Sequence, residues 1–271
     1  RSVKIHFFYA FFPNSPSKVR QVLKLIDFRF SNIFNGLKID VDMIIAVSQP
    51  TFFPWLGYFD IIKKADVFIF LDNVKVEKSS WQMRNRLKTI TNKEDGEVWF
   101  RIPTKNIHSD TKINEVIIDN SVNWKHKHKT IFENNYGEKF PDIKFLNKIY
   151  DKDWNKLVDF NIEFIEKCCE FLKIKTELKK ASSLNAEGKK SNLLLNLCLE
   201  LSATHYLSTI GAKNYLEKDK NLFKSNDIKI IYHEYKHPIY KQKGKKFISN
   251  LSILDLLFNE NMNAVNIFNS K

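Results

Sequence analysis

Two prolines set between two short apolar runs constrain this chain more than any other feature. The first run, Ile44 to Val47, has the length and β-branched content of a buried strand and stops at Ser48-Gln49-Pro50-Thr51-Phe52-Phe53-Pro54-Trp55-Leu56-Gly57-Tyr58. Proline fixes φ and disfavours helix at the preceding residue, so the pattern holds Gln49 and Phe53 extended and presents Trp55 at the start of the next element. Leu56, Phe59, Ile61 and Ile62 then recur at helical spacing until Ala65, and a second strand-like run, Val67 to Leu71, ends on Asp72. Strand, helix and strand in this order predict a βαβ unit with polar residues at the strands' carboxyl ends, where open α/β sheets bind ligands. The competing reading is structural: a hydrophobic turn that caps a core.

The rest of the chain is long enough to bury one large or two modest domains, at 271 residues. A net charge of +13 raises the question of nucleic acid, but only six of the 44 basic residues are arginine and the lysines are scattered. Nucleic-acid readers favour arginine and a clustered stripe, so the charge is read as solvated surface with room for an anionic small ligand. Cys168, Cys169 and Cys198 fall in apolar helical patterns without Cys-x-x-Cys spacing. They are expected to be buried thiols of a cytoplasmic protein, with no metal site. No apolar stretch approaches the roughly 18 residues of a membrane span.

Beyond Asp72, Lys78, Arg84, Arg86 and Lys88 bring positive charge toward the same rim, and an arginine fork suits phosphate or carboxylate oxygens. A surface salt-bridge network is the alternative use of these residues. Asp95-Gly96 signals a turn, Val98 to Ile102 a strand, and Ile113 to Ile118 an alternating strand. A helix over Trp124 to Tyr136 carries His128, a candidate site residue whose alternative is a core hydrogen bond. Trp154, Leu157, Val158, Ile162, Ile165, Cys169 and Leu172 trace the buried face of a long helix. Ala203 to Ser208 reads as a strand, and the Ser208-Thr209-Ile210-Gly211 turn before a helix at Asn214 to Phe223 is a candidate anion cradle, or else a simple cap. After a strand at Ile228 to Tyr232, His237, Tyr240 and Gln242 supply titratable and hydrogen-bonding groups. A short helix over Leu251 to Phe258 is begun by Ser252, with Asp255 in its first turn. The glycines form neither a dinucleotide fingerprint nor a P-loop, and neither a Gly-x-Ser-x-Gly elbow nor His-Glu-x-x-His is present.

Gln49-Pro50, Pro54-Trp55-x-Gly57-Tyr58-Phe59, Ala65-Asp66, Leu71-Asp72 and Lys78-x-x-Trp81-x-x-Arg84-Asn85-Arg86 resemble the opening of the WbqC-like family of bacterial proteins. Tyr206-Leu207-Ser208, Gly211, Tyr215-Leu216, His237-Pro238-x-Tyr240-x-Gln242 and Leu251-Ser252-x-x-Asp255-Leu256-Leu257-Phe258-Asn259 resemble its ending. The resemblance implies a role in making O-antigen, other surface glycans or related secondary metabolites, without naming a reaction. It begins at Met43, so residues 1–42 are expected to be an extension outside the native domain; an accessory helix at Val19 to Phe34 is the alternative.

Together these features predict one α/β domain of Rossmann-like, three-layer form over 43–271, mostly parallel, with a helical insertion at about 124–178. The expected activity is group transfer on an activated sugar or amino-sugar or similar anionic metabolite, with a nucleotide sugar or acyl donor as candidate substrate. Lys78, Arg84, Asn85, Arg86, Ser208 and Gly211 would hold the anion, and Gln49, Pro50, Trp55, Tyr240 and Gln242 would shape and stack the ligand. His237 or His128 would be the general base, oriented by Asp72. A non-catalytic partner of a glycan-assembly complex, anchored through the Pro-Trp loop, is the rival reading. No cofactor or oligomeric state follows from the sequence.

Overall fold

The computed structural model describes residues 42–78, 80–91, 94–137 and 143–270. The expected extension, and with it the helix at Val19 to Phe34, lies outside the described residues apart from Asp42. The described chain runs β1 (Ile44–Ser48), α1 (Leu56–Lys64), β2 (Val67–Phe70), β3 (Arg84–Thr91), β4 (Glu94–Arg101), α2 (Trp124–Tyr136), α3 (Lys144–Asp151) and α4 (Leu157–Phe171). It continues through β5 (Glu177–Lys180), α5 (Ser191–Glu200), β6 (His205–Thr209), α6 (Lys213–Leu216), α7 (Lys220–Lys224), β7 (Lys229–His233), α8 (Ile253–Glu260) and α9 (Ala264–Asn269). The fold is α/β with a mostly parallel sheet flanked by helices, a Rossmann-like sandwich as the strand-helix-strand pattern implied. The described residues divide into two compact units: 42–48 with Ile61–Phe70 and Lys175–Glu234, and Gln49–Asp60 with the described residues of Leu71–Ile174 and 235–270.

The first unit holds a five-stranded sheet in the order β5-β2-β1-β6-β7, with every ladder parallel. The continuous apolar runs of β1 and β2 suit strands covered on both faces, and Ile45, Ala46, Phe68 and Ile69 have no exposed surface. The Asp66 carboxylate accepts the Ile44 N–H at 2.9 Å, and the Thr204 hydroxyl accepts that of Met43 at 2.8 Å. These bonds pin the register of β1 at its first residue. Half-buried, charge-bearing β5 and β7 form the edges, where lysines discourage further pairing. The expected helix at Asn214 to Phe223 is two short ones, α6 and α7.

The second unit is built on the β3-β4 antiparallel pair and the helices α2, α3, α4 and α8. Pairing runs unbroken from Arg84 opposite Arg101 to Thr91 opposite Glu94, so Asp95-Gly96 lies inside β4 rather than in a turn. The long helical stripe is α4, whose Leu157, Phe160, Phe164, Ile165 and Cys168 are fully buried. The expected strand at Ile113 to Ile118 opens instead as a 3₁₀ turn, Ile113–Glu115. Ile113 and Val116 are buried because three-residue spacing returns the chain to the same side of a 3₁₀ turn, while Ile118 is buried at an isolated antiparallel bridge to Thr104. The helical stretch holds α2, α3 and α4, and its expected end near residue 178 falls within β5.

Candidate functional site

The bend at Gln49 to Trp55 has no ladder of its own, so its carbonyls need other donors. Five of them find one inside the second unit. Tyr58 Oη donates to the Gln49 carbonyl at 3.0 Å, Asn161 Nδ2 to Pro50 at 3.2 Å, and Asn85 Nδ2 to both Phe52 at 3.1 Å and Phe53 at 2.7 Å. The Ile253 N–H takes the Pro54 carbonyl at 2.8 Å. Gln82 also bonds the Gln49 side chain, so Gln49, Pro50 and Asn85 hold the bend in shape. Phe53 departs from the expected extended backbone: its φ is +43°, a turn that brings two successive carbonyls to the single Asn85 amide. The turn sends Phe52 and Phe53 into a cluster with Phe100, Phe160 and Phe164, with centroids 4.3 to 5.8 Å apart.

Trp55 stays half-buried, edge-on to Tyr235 at 5.2 Å. A Cβ on Gly57 would lie 2.3 Å from its ring, so the ring rests on bare backbone. The bend and the histidine-proline tail therefore meet. That tail is gathered on Asp255, which is fully buried and accepts from Tyr136 at 2.6 Å, Tyr240 at 2.8 Å and Gln242 at 2.7 Å. Burial raises the Asp255 carboxyl above the usual range, against the pull of these three donors. Tyr240 and Gln242, expected beside a ligand, thus have their polar atoms on an internal carboxylate. Downstream, Asp95 accepts the backbone N–H groups of Lys245 and Lys246, each at 2.8 Å, and forms a buried pair with Lys88 at 3.3 Å. Gly244 passes so close that a Cβ there would sit 1.8 Å from Asp95.

Of the expected catalytic groups, His128 is sealed in the aromatic core. Its Nε2 lies 2.9 Å from the Arg101 carbonyl, which can only accept, so Nε2 carries the proton and Nδ1 accepts from Tyr150 Oη at 2.9 Å. Burial lowers its pKa to about 4 despite the Arg101 carbonyl. Both ring nitrogens are engaged within the fold. His237 donates Nδ1–H to the Pro238 carbonyl at 2.8 Å, which leaves Nε2 as its basic nitrogen, and its ring is ringed by Tyr235, Tyr240 and Phe247. Asp72 is buried. Ser208 and Gly211 belong to the first unit, Ser208 buried in β6 and Gly211 exposed in a 3₁₀ turn.

The anion-binding candidates separate on the β3-β4 hairpin. Arg86 is paired with Glu97 at 2.7 Å. Lys78 and Arg84 line an open cleft of about 820 Å³ together with Arg101, Lys105, Trp99 and His108, floored by Phe100, Ile102 and Pro103. Arg84 lies over the Trp99 ring at 4.6 Å. Among the described residues, no carboxylate lies within ion-pair distance of Lys78, Arg84, Arg101 or Lys105. Asp119, the acid in the lining, accepts from Ser121; those bonds, with a smaller contribution from Lys105, hold its carboxyl low. Arg101, Lys105, His108 and Trp99 are not among the site residues expected from the sequence. A signal existed in the Trp99-x-Arg101 alternation, but it needs the strand register that sets Arg101 opposite Arg84. No group of three His, Cys, Asp or Glu arranged for a metal occurs among the described residues, and no described helix is long and apolar enough to cross a membrane.

A family model described as the WbqC-like protein family matches residues 49–267. The chain is 33% identical over 223 residues to an uncharacterized protein, Rv1507c, of Mycobacterium tuberculosis, a match that covers 79% of this chain and 93% of that one. No solved structure matches the chain.

Proposed function

The chain belongs to the WbqC-like protein family, and on that premise we propose that it is a group-transfer enzyme acting on an activated sugar, amino-sugar or similar anionic metabolite of surface-glycan biosynthesis. One observation carries this reading: four cations, Lys78, Arg84, Arg101 and Lys105, line one cleft whose lining holds a single acid, Asp119, and none of the four lies within ion-pair distance of a carboxylate among the described residues. Like charges held together repel, so an arrangement of this kind favours an anion that completes it. In this reading the four hold phosphate or carboxylate oxygens, and Trp99 offers a flat face. His108, which lines the cleft, takes the general-base place in preference to His237 and His128. Ser208 and Gly211 receive no role in the cleft. The three buried cysteine thiols support a cytoplasmic setting.

The non-catalytic partner reading moves with the same observation. Trp81 and Trp99 are 49% and 47% exposed and stacked with Arg84 and Arg86, residue types that dominate interface energetics. Thermal shift of the full chain against sugar phosphates, nucleotide sugars and neutral sugars, followed by mass spectrometry with acyl and aminoacyl donors, tests both. Anionic sugars at 100 times Kd should stabilise the chain by about 2.7 kcal/mol, and Arg84→Ala with Arg101→Ala should remove the effect. An equal response to neutral and anionic sugars would sink the cleft, while binding without turnover would favour the partner.

A further inference from the structure

We infer, resting on the anion-cleft reading, that the ligand is a nucleoside diphosphate or its sugar ester, its diphosphate held by Arg84, Arg101 and Lys105 and its base stacked on the Trp81–Trp99 pair. The first support is the hairpin register. Arg84 and Arg101 are direct cross-strand partners, and like charges directly opposite each other destabilise a sheet. A carboxylate would answer one of these charges, whereas a diphosphate carries two or more negative charges on oxygens spread along a chain. Two cross-strand guanidinium forks, each able to bind two oxygens, suit such a chain of oxygens.

The second support is aromatic. Trp81 and Trp99 sit with centroids 5.6 Å apart and an interplanar angle of 33°, half-exposed, while the large aromatics of the core are buried. Trp99 belongs to the cleft lining, so the pair continues the cationic surface into a π surface. Their arginines divide the work. Arg86, neutralised by Glu97, lies 5.6 Å from both rings, whereas Arg84 lies over Trp99 at 4.6 Å with no carboxylate within ion-pair distance among the described residues. A nucleobase fits a Trp and guanidinium platform through its own π face, and the volume lies within the usual range of small-molecule sites. A continuous nucleic-acid strand fits less well, because Glu97 interrupts the hairpin's positive charge and Lys88 is buried.

Calorimetry and tryptophan fluorescence on the full chain decide the matter, with UDP and ADP as probes, inorganic pyrophosphate as the base-free control and uridine as the phosphate-free control. Both nucleotides should bind roughly 10- to 100-fold more tightly than pyrophosphate and quench tryptophan emission, which pyrophosphate should not do. Trp81→Leu, which leaves every cleft cation in place, should erase that advantage and keep pyrophosphate affinity unchanged. Pyrophosphate binding as tight as that of UDP and ADP would overturn the nucleoside assignment while leaving the anion cleft standing. Failure of all three phosphates to bind would overturn both. Should the variant melt early, the wild-type comparison of nucleotide with pyrophosphate still decides.

Discussion

Lys88 and Arg84 stand on one strand of one hairpin, and their surroundings differ in everything that matters to a charge. Lys88 is buried, faces the Asp95 carboxylate and donates to the Lys246 carbonyl. The adjoining Asp255 collects two tyrosines and an amide, so this region is internally compensated. Arg84 is exposed, opposes another arginine and rests on tryptophan instead of an acid. Compensated charge holds the chain in shape, because a buried ion is tolerated only when paired and hydrogen-bonded. Uncompensated charge on an open wall adds nothing to folding, and under the proposed function it is what an anionic ligand would complete.

The contrast can be broken most forcefully at Asp255. Replacing it with alanine leaves Tyr136, Tyr240 and Gln242 without their shared acceptor, and chemical denaturation should show a loss of about 3–5 kcal/mol. A loss below about 1 kcal/mol would mean that the tail is held by something else.

His128 gives the next largest effect and a pH signature. Its native pKa of about 4 lies below the ordinary 6.5, so the unfolded chain takes up a proton that the folded one refuses. Stability attributable to His128 is therefore complete above about pH 6.5 and declines as pH falls toward about 4, by roughly 3 kcal/mol in all. Denaturant midpoints across this window should slope in the wild type and flatten in His128→Gln, measured relative to each protein's own value at neutral pH. Equal slopes would remove His128 as the cause.

The smallest expected effect sharpens the comparison from the other side. Arg84→Ala with Arg101→Ala should change stability by no more than about 0.5 kcal/mol, with relief of repulsion as the favourable sign. A large loss would make the cleft architectural, and the distinction between the two regions would collapse.

The sequence showed the apolar β1 and β2, the broad stripe of α4 and the Ser252 cap, whose hydroxyl accepts the Leu254 N–H at 3.3 Å. These are local patterns, readable within a dozen residues. β5 was hidden because Glu177-Leu178-Lys179-Lys180 has little strand character and is held by its pairing with β2. β3 was hidden because Asn85 and Lys88 point inward to polar partners, which breaks the alternation of an amphipathic strand. The roles of Tyr240 and Gln242 depend on a carboxylate 15 and 13 residues further on, and the cleft depends on a cross-strand partner of Arg84. Composition marked the residue types, but only register sets Arg101 opposite Arg84 and Trp99 opposite Arg86.

Gly57 inverts a familiar route to thermostability. Substituting alanine for a helical glycine ordinarily gains about 1 kcal/mol by restricting the unfolded chain and favouring the coil-to-helix step. At the opening turn of α1 a methyl group would collide with the indole of Trp55, displacing the ring from Tyr235 and unseating the proline bend behind it. An engineer working from helix statistics alone would choose this position and weaken the molecule. The glycine serves as a socket, and its emptiness is what the neighbouring side chain occupies.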